Sequence, residues 1–213
     1  TTRAAARNTI QLGQSKAKST SPDKLESYFD KVHAAGNRLL TMVNNLLDLS
    51  KLEAGKMVIN ATPRDLGELV REVAQELEPL AEQRGLVLEL PSAKAGYPAS
   101  VDGPRLIQVI RNLLSNAIKF SPVQGTIVVA IAASHMPRGR RSSDRDTVMP
   151  AWRIEVADRG VGIPDDELEA IFDKFVQSSK TRTGAGGTGL GLAICREIVE
   201  AHRGSIRAYN SPL

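Results

Sequence analysis

The sequence predicts an α+β protein: a helical hairpin over residues 1–56, then a two-layer α/β sandwich over 57–213, in which a mixed sheet carries helices on one face. Three observations predict it. Apolar residues in the first segment recur at helical heptad spacing. After Gly55 the pattern alternates between strand-like and helix-like periods. A glycine-rich stretch, GGTGLGLAI (186–194), then runs directly into an apolar helix. Length and composition agree, since 213 residues with 41% hydrophobic and 24% charged suffice for one mid-sized domain and a smaller one.

In the hairpin, Leu25, Phe29, Val32, Gly36, Leu39, Val43 and Leu46 alternate steps of four and three, and Leu40 and Leu47 widen the stripe. TSPDKLE starts this helix with Pro22 in its first turn, and EAGK (53–56) stops it. Thr1 to Lys18 is a weaker, alanine-rich helix. A lone hairpin cannot bury both its faces, so a homodimer forming a four-helix bundle is expected.

Next, KMVIN (56–60) and LVLEL (86–90) read as strands around an amphipathic helix from Asp65 to about Gln83, closed by Gly85. A helix over 104–119 has Asp102 as N-cap and Pro104 in the first turn. TIVVAIAA (126–133) and WRIEVAD (152–158) are two more strands, joined by a Pro/Arg/Ser-rich loop. A short acidic helix, DDELEAIF, precedes the glycine stretch. The helix after it runs to about His202, and GSIRAY (204–209) supplies a last strand. The strands form a single mixed sheet.

Several function classes are disfavoured. Net charge is only +4 and the basic residues are spread out, which argues against nucleic acid. One cysteine, Cys195, excludes an internal disulfide and fits a reducing compartment. No apolar run approaches the ~20 residues a bilayer needs, and no signal peptide opens the chain. A soluble, cytoplasmic segment without membrane contact is expected, within a parent protein that could be anchored in the inner membrane.

Two residue patterns point to chemistry. The glycine stretch fits neither a P-loop, because Leu192 and Ala193 follow Gly191, nor a dinucleotide fingerprint, because the polar SSKTRTGA precedes it. What survives is either bare amides at a helix N-terminus, a seat for a polyphosphate, or a flexible hinge. On the helix at 104–119, Gln108, Asn112, Ser115, Asn116 and Lys119 share one polar stripe. An ordinary solvated stripe would hold mostly Lys and Glu. Amides aligned with a lysine suit Mg²⁺ and phosphate.

RLIQVIRNLLSNAIKFS, DRGVGIP (158–164), IFDKFVQ (171–177) and GTGLGLAI (187–194) resemble, in order and spacing, the N box, first glycine box, F box and second glycine box of sensor histidine kinases. LLDLSKLEAGKM resembles the end of that family's dimerisation and phosphotransfer hairpin. The resemblance implies the ATP-binding sandwich of gyrase, heat-shock chaperone and mismatch-repair ATPases (the GHKL type), with ATP and Mg²⁺ as cofactors. It implies Asn116 as Mg²⁺ ligand, Lys119 beside the phosphates, and Asp158 as acceptor for the adenine 6-amino group. Gly160 and Gly162 would let the backbone pass close to the base, and Ile163 would line the pocket. Gly187, Thr188, Gly189, Leu190 and Gly191 would close on the phosphates. Asn112 stands where hydrolytic relatives place a glutamate to activate water. An amide has no basicity near neutral pH, so the site looks built to transfer a phosphoryl group rather than to hydrolyse ATP. Asn112 and Lys119 are the catalytic candidates. Phe172 and Phe175 would anchor a lid running from about Asp165 to Gly186, with Lys180 and Arg182 as candidates for the γ-phosphate.

Two departures from the family stand out. Its phosphoacceptor histidine, followed by an acid, an arginine and a proline, is missing. His33 shares a heptad position with Leu40 and Leu47 and reads as bundle packing, His135 falls in the loop region and His202 at a helix end. The chain is expected to begin just downstream of that motif and to stop one strand short of the family's usual end. The implied function is a two-component protein-histidine kinase, passing phosphate from ATP to a histidine and on to the receiver domain of a response regulator. An ATP hydrolase of the same superfold and a degenerate kinase kept as a dimeric interaction module are the alternatives.

Overall fold

A computed structural model describes residues 21–53, 58–137, 148–181 and 188–210. By its contacts the chain divides into two compact units, Thr1–Lys56 and Met57–Leu213. The expected first helix, Arg182 and Gly187 lie outside the described residues.

In the first unit, α1 spans Pro22–Glu53. The Ser21 carbonyl accepts the amides of Lys24 and Leu25, both at 3.1 Å, and Asp23 faces the positive end of the helix dipole. The apolar stripe is solvent-exposed along the isolated chain: Leu40 is 61% and Leu47 55% accessible. His33 is exposed on the same seven-residue spacing.

The second unit runs β1 (Thr62–Asp65), α2 (Leu66–Gln83), β2 (Val87–Glu89), β3 (Pro98–Val101), α3 (Gly103–Phe120), β4 (Thr126–Pro137), β5 (Val148–Ala157) and α4 (Gly191–Ala201), with 3₁₀ turns at Asp165–Glu167, Ala170–Phe172 and Ser179–Thr181. Among the described residues its strands form two hydrogen-bonded sheets rather than the single sheet expected. β1 pairs antiparallel with β3, Thr62 opposite Val101. β2 pairs parallel with β4, and β4 antiparallel with β5 from Val128 opposite Ala157 to Pro137 opposite Val148.

α3 is the central element. One side packs on α2 and another on α4, and α2 and α3 lie against the strands. Leu69, Val70 and Val73 of α2, Ile110, Leu114 and Ile118 of α3, and Ile127 and Val129 of β4 form the core, each at most 2% accessible. Both helix starts are capped as their sequences ask. The Asp65 carboxylate accepts from Glu68 N, and Asp102 accepts from Arg105 N with Pro104 in the first turn.

Three expectations fail locally. Residues 58–60 of KMVIN are irregular, and the strand lies at the polar TPRD of β1, where apolar alternation gives no signal; prolines at Pro63 and at the start of β3 suit a two-stranded ribbon with open edges. The DDELEAIF segment forms two separate 3₁₀ turns instead of a helix. There Phe172 N bonds back to Glu169 O and Asp173 N to Ala170 O, while the Arg196 guanidinium takes the Glu169 carbonyl as well. Residues 204–210 form no strand. The segment is held through side chains: the Tyr209 hydroxyl donates to Glu155 of β5, and Asn210 binds the loop after it.

Candidate nucleotide site

Four stretches that are distant in sequence meet around α3. At its middle, Asn112 faces the start of α4. The Asn112 amide donates to Cys195 Sγ at 3.1 Å, and a Cβ built on Gly191 would stand 2.6 Å from both amide atoms. Only glycine permits that approach. Toward the C-terminal end, a Cβ on Gly160 would come within 2.7 Å of the Phe120 carbonyl, so the first glycine loop lies directly on the last turn of α3, beside Lys119. Asn112 and Lys119 are seven residues apart, about 10 Å along the helix at ~1.5 Å per residue.

The rest of the polar stripe is also ordered. Gln108 accepts from Arg105 Nη1 at 3.0 Å, and Ser115 Oγ donates to the Asn112 carbonyl. The half-buried Asn116 makes no side-chain hydrogen bond among the described residues. Lys119 extends its ammonium over the Phe120 ring, 4.8 Å from the centroid. Arg84, which sequence reasoning passed over, secures this end of α3 by donating to the carbonyls of Lys119 (2.6 Å) and Ser121 (2.9 Å). An arginine just past a helix gives no sequence signal that it will cap a different one.

In the first glycine loop, Asp158 is exposed just after β5 and accepts from Gly160 N at 2.7 Å. Gly162 takes φ +65°, which glycine adopts without strain. Ile163 is half-buried, and both its backbone groups bond to the Asn210 side chain. Lys180 donates from Nζ to the Val161 carbonyl, 3.2 Å away, so its charge sits at this loop and not at the start of α4.

In the second glycine stretch, Gly189 has φ +71° and lies against the backbone of Phe175, whose amide donates to the Gly189 carbonyl at 2.9 Å. Phe175 itself adopts φ +65° with an exposed ring, whereas Phe172 is buried beneath the Arg196 guanidinium. Thr188 Oγ accepts from Leu190 N at 3.2 Å, so that amide already has a partner, and the Leu190 side chain is buried. Among the described residues no side chain caps α4. Its first amides and the positive end of its dipole therefore stand available to an anion.

The Cys195 thiol lies in the α3–α4 contact. Burial pushes its pKa up to about 11, with the Asn112 hydrogen bond pulling weakly the other way. It is a neutral packing group at physiological pH.

A nucleotide fits this chemistry: an exposed carboxylate and a close-packed glycine loop at one end of α3, an uncapped helix start beside its middle, and amides with a lysine between. A magnesium ion fits as well, since it needs few protein ligands beside phosphate oxygens and waters, and Asn116 offers a neutral oxygen.

Comparison with known proteins identifies the family of each segment. Residues 101–212 match the family described as histidine kinase-, DNA gyrase B-, and HSP90-like ATPase, and residues 4–55 match the His Kinase A (phospho-acceptor) domain. Hybrid signal transduction histidine kinase D of Dictyostelium discoideum is 39% identical over 81% of this chain and 11% of its own length. The sensor-like histidine kinase SenX3 of Mycolicibacterium smegmatis is 32% identical over 92% of this chain and 47% of its own. The chain thus spans less than half the length of these relatives. Among solved structures, full-length ShkA in complex with AMPPNP shares the fold with a TM-score of 0.68, at 24% identity over 97% of this chain and 43% of that one. The mycobacterial sensor histidine kinase MprB gives a TM-score of 0.54 at 27% identity over 68% of this chain and 84% of that one. The phospho-acceptor and ATPase domain matches occur here in one chain and in that order, and the chain belongs to the sensor histidine kinase family.

Proposed function

We propose that this chain is the dimerisation and nucleotide-binding core of a two-component protein-histidine kinase, which binds Mg-ATP and hands its γ-phosphoryl to a histidine and then to a response-regulator aspartate. The observation that carries the reading is the seating of Asn112 on Gly191, which joins the amide stripe of α3 to the uncapped start of α4. ATP would lie along α3, with adenine at Asp158, Gly160, Gly162 and Ile163 and phosphates toward Gly187, Thr188, Gly189 and Gly191. Asn116 would hold Mg²⁺, and Lys119 would meet phosphate; Leu190 would contribute through its place in the turn. An amide at Asn112, where a hydrolase needs a carboxylate, favours transfer over hydrolysis. SenX3 and MprB are named as sensor kinases, and a ThkA structure is of a complex with the response regulator TrrA, which supports the same partner class here. A cytoplasmic placement follows from that partner. Among the described residues no helix is long and apolar enough to cross a membrane.

Calorimetry with Mg-ATP and Mg-ADP tests the site. Wild type binds both, and Asp158→Asn weakens them about tenfold or more, because the new amide can turn its NH₂ toward the adenine amino group. Undiminished affinity in that variant would remove Asp158 from the site. Incubation with labelled ATP tests the transfer reading: this chain, in which none of the three histidines stands in the family's acceptor motif, neither labels itself nor turns ATP over rapidly. Strong labelling at His33 would overturn its assignment to bundle packing, and rapid turnover would favour the hydrolase.

A further inference from the structure

Asn210 belongs to none of the motifs that define the site, yet its side chain makes three hydrogen bonds to the first glycine loop across more than forty residues of sequence. Its Oδ1 accepts from Ile163 N at 3.1 Å, and its Nδ2 donates to the Ile163 carbonyl at 2.7 Å and to Asp165 Oδ1 at 2.9 Å. One primary amide therefore grips both backbone groups of a single residue and the carboxylate two positions on.

We propose that Asn210 is a positioning residue for adenine recognition, fixing the backbone between Asp158 and Asp165 in the shape that accepts the base. The proposal rests on the nucleotide-binding reading above. The loop contains Gly160 and Gly162, and glycine leaves the backbone free on both sides of φ zero. Gly160 is fixed from one side by the Asp158 carboxylate and the Phe120 carbonyl. Gly162, at φ +65°, turns the chain the other way, and a Cβ there would stand 3.1 Å from Asn210 Oδ1. The reversal is made directly against the Asn210 amide. Ile163, the residue expected to line the pocket, has both backbone groups held by that amide: its N–H and C=O bond to Asn210 rather than to a strand. The adjoining 3₁₀ turn continues the restraint outward, since Glu167 accepts from Ser179 N at 3.0 Å.

Binding a base to a loop already in shape avoids the cost of ordering it on binding. Removing the amide should therefore weaken the part of the ligand that this loop reads. It should leave phosphate binding, which depends on α4, nearly intact. Adenine and guanine separate the two contributions. Both carry the same diphosphate, but guanine offers a 6-oxo group that a carboxylate at Asp158 would repel.

The test is calorimetry of Mg-ADP and Mg-GDP on the whole chain, with circular dichroism and thermal melting alongside. Wild type prefers ADP. In Asn210→Ala the ADP dissociation constant rises about tenfold and that of GDP changes much less, so the preference shrinks while the melting midpoint stays within a few degrees. Asn210→Gln, which keeps the amide but moves it by one methylene, gives the same loss. An unchanged ADP-to-GDP preference in either folded variant would overturn the proposal. A wild-type protein that binds neither nucleotide would defeat the nucleotide-binding reading, and this proposal with it.

Discussion

Cys195 shows how one side chain can serve the site without touching a ligand. Its sulfur accepts from the Asn112 amide and turns that NH₂ toward α4, and burial raises the thiol pKa to about 11. A thiol pKa above its unfolded value of ~8.5 means that the folded state holds the proton more tightly. Its stability contribution is then complete below about pH 8.5 and is lost as pH rises toward 11. The expected outcome is that a thiol reagent at pH 8 modifies native protein only at the rate of unfolding and reacts at once in denaturant. Immediate reaction of the native protein would mean that Asn112 and Cys195 separate freely. Asp65 shows the opposite sign. Its carboxyl is held below the usual range, chiefly by the Tyr97 amide at 2.8 Å and then by the Glu68 amide. This contribution is present above pH ~4 and is lost as pH falls through the lowered value. Asp65→Ala removes the cap of α2 as well as the tie to Tyr97, and should cost about 1–2 kcal/mol by denaturant titration at pH 7.

At the scale of elements, α3 decides both stability, through its core packing with α2 and β4, and site shape, through its contact with α4. Leu114 and Ile118 are fully buried in the core, and Leu114→Ala should cost about 2–5 kcal/mol. Gly191→Ala separates the two properties. Alanine suits the first turn of a helix, but its Cβ would meet the end of the Asn112 side chain, which can swing away more easily than backbone can. The fold should survive, with a melting midpoint within a few degrees of wild type, while Mg-ATP affinity falls at least about tenfold. Retained affinity would show that the Asn112 position is not needed. The helices that meet at α3 were the most legible elements. α2 and α3 advertise themselves by apolar period, aspartate caps and, in α3, an early proline. The α4 start is marked by its glycines. What sequence could not show are the elements whose stability comes from elsewhere in the chain. β1, which is polar, and the four-residue β3 pair only with each other among the described residues, and the turns around Glu169 depend on Arg196. The same holds inside the site. Asn112, Asn116 and Lys119 fall on one stripe by spacing alone, whereas Arg84 and Asn210 act across gaps of 35 and 47 residues and carry no local pattern.

The whole molecule consists of two units whose surfaces ask for different things. The second buries its own core among α2, α3 and β4. The first leaves Phe29, Leu40 and Leu47 among its most exposed apolar residues, along one helix. A stripe of that kind marks an interaction surface. Its heptad spacing fits a second copy of the same hairpin, as does the match of residues 4–55 to the phospho-acceptor domain. A homodimer held by residues 1–56 is therefore the expected state, and the two functions should separate at the boundary between the units. Light scattering at tens of micromolar should return a dimer for the whole chain and a monomer for residues 57–213. Leu40→Glu combined with Leu47→Glu, which places charge at two successive stripe positions, should shift the whole chain to monomer while leaving α1 helical by circular dichroism. Nucleotide binding should persist in all of these forms, with Mg-ADP affinities within about threefold of one another, because no residue of the candidate site lies before Asn112. A whole chain that scatters as a monomer with α1 intact would refute self-pairing of the stripe. Loss of nucleotide binding from a well-folded 57–213 fragment would instead show that the hairpin completes the site.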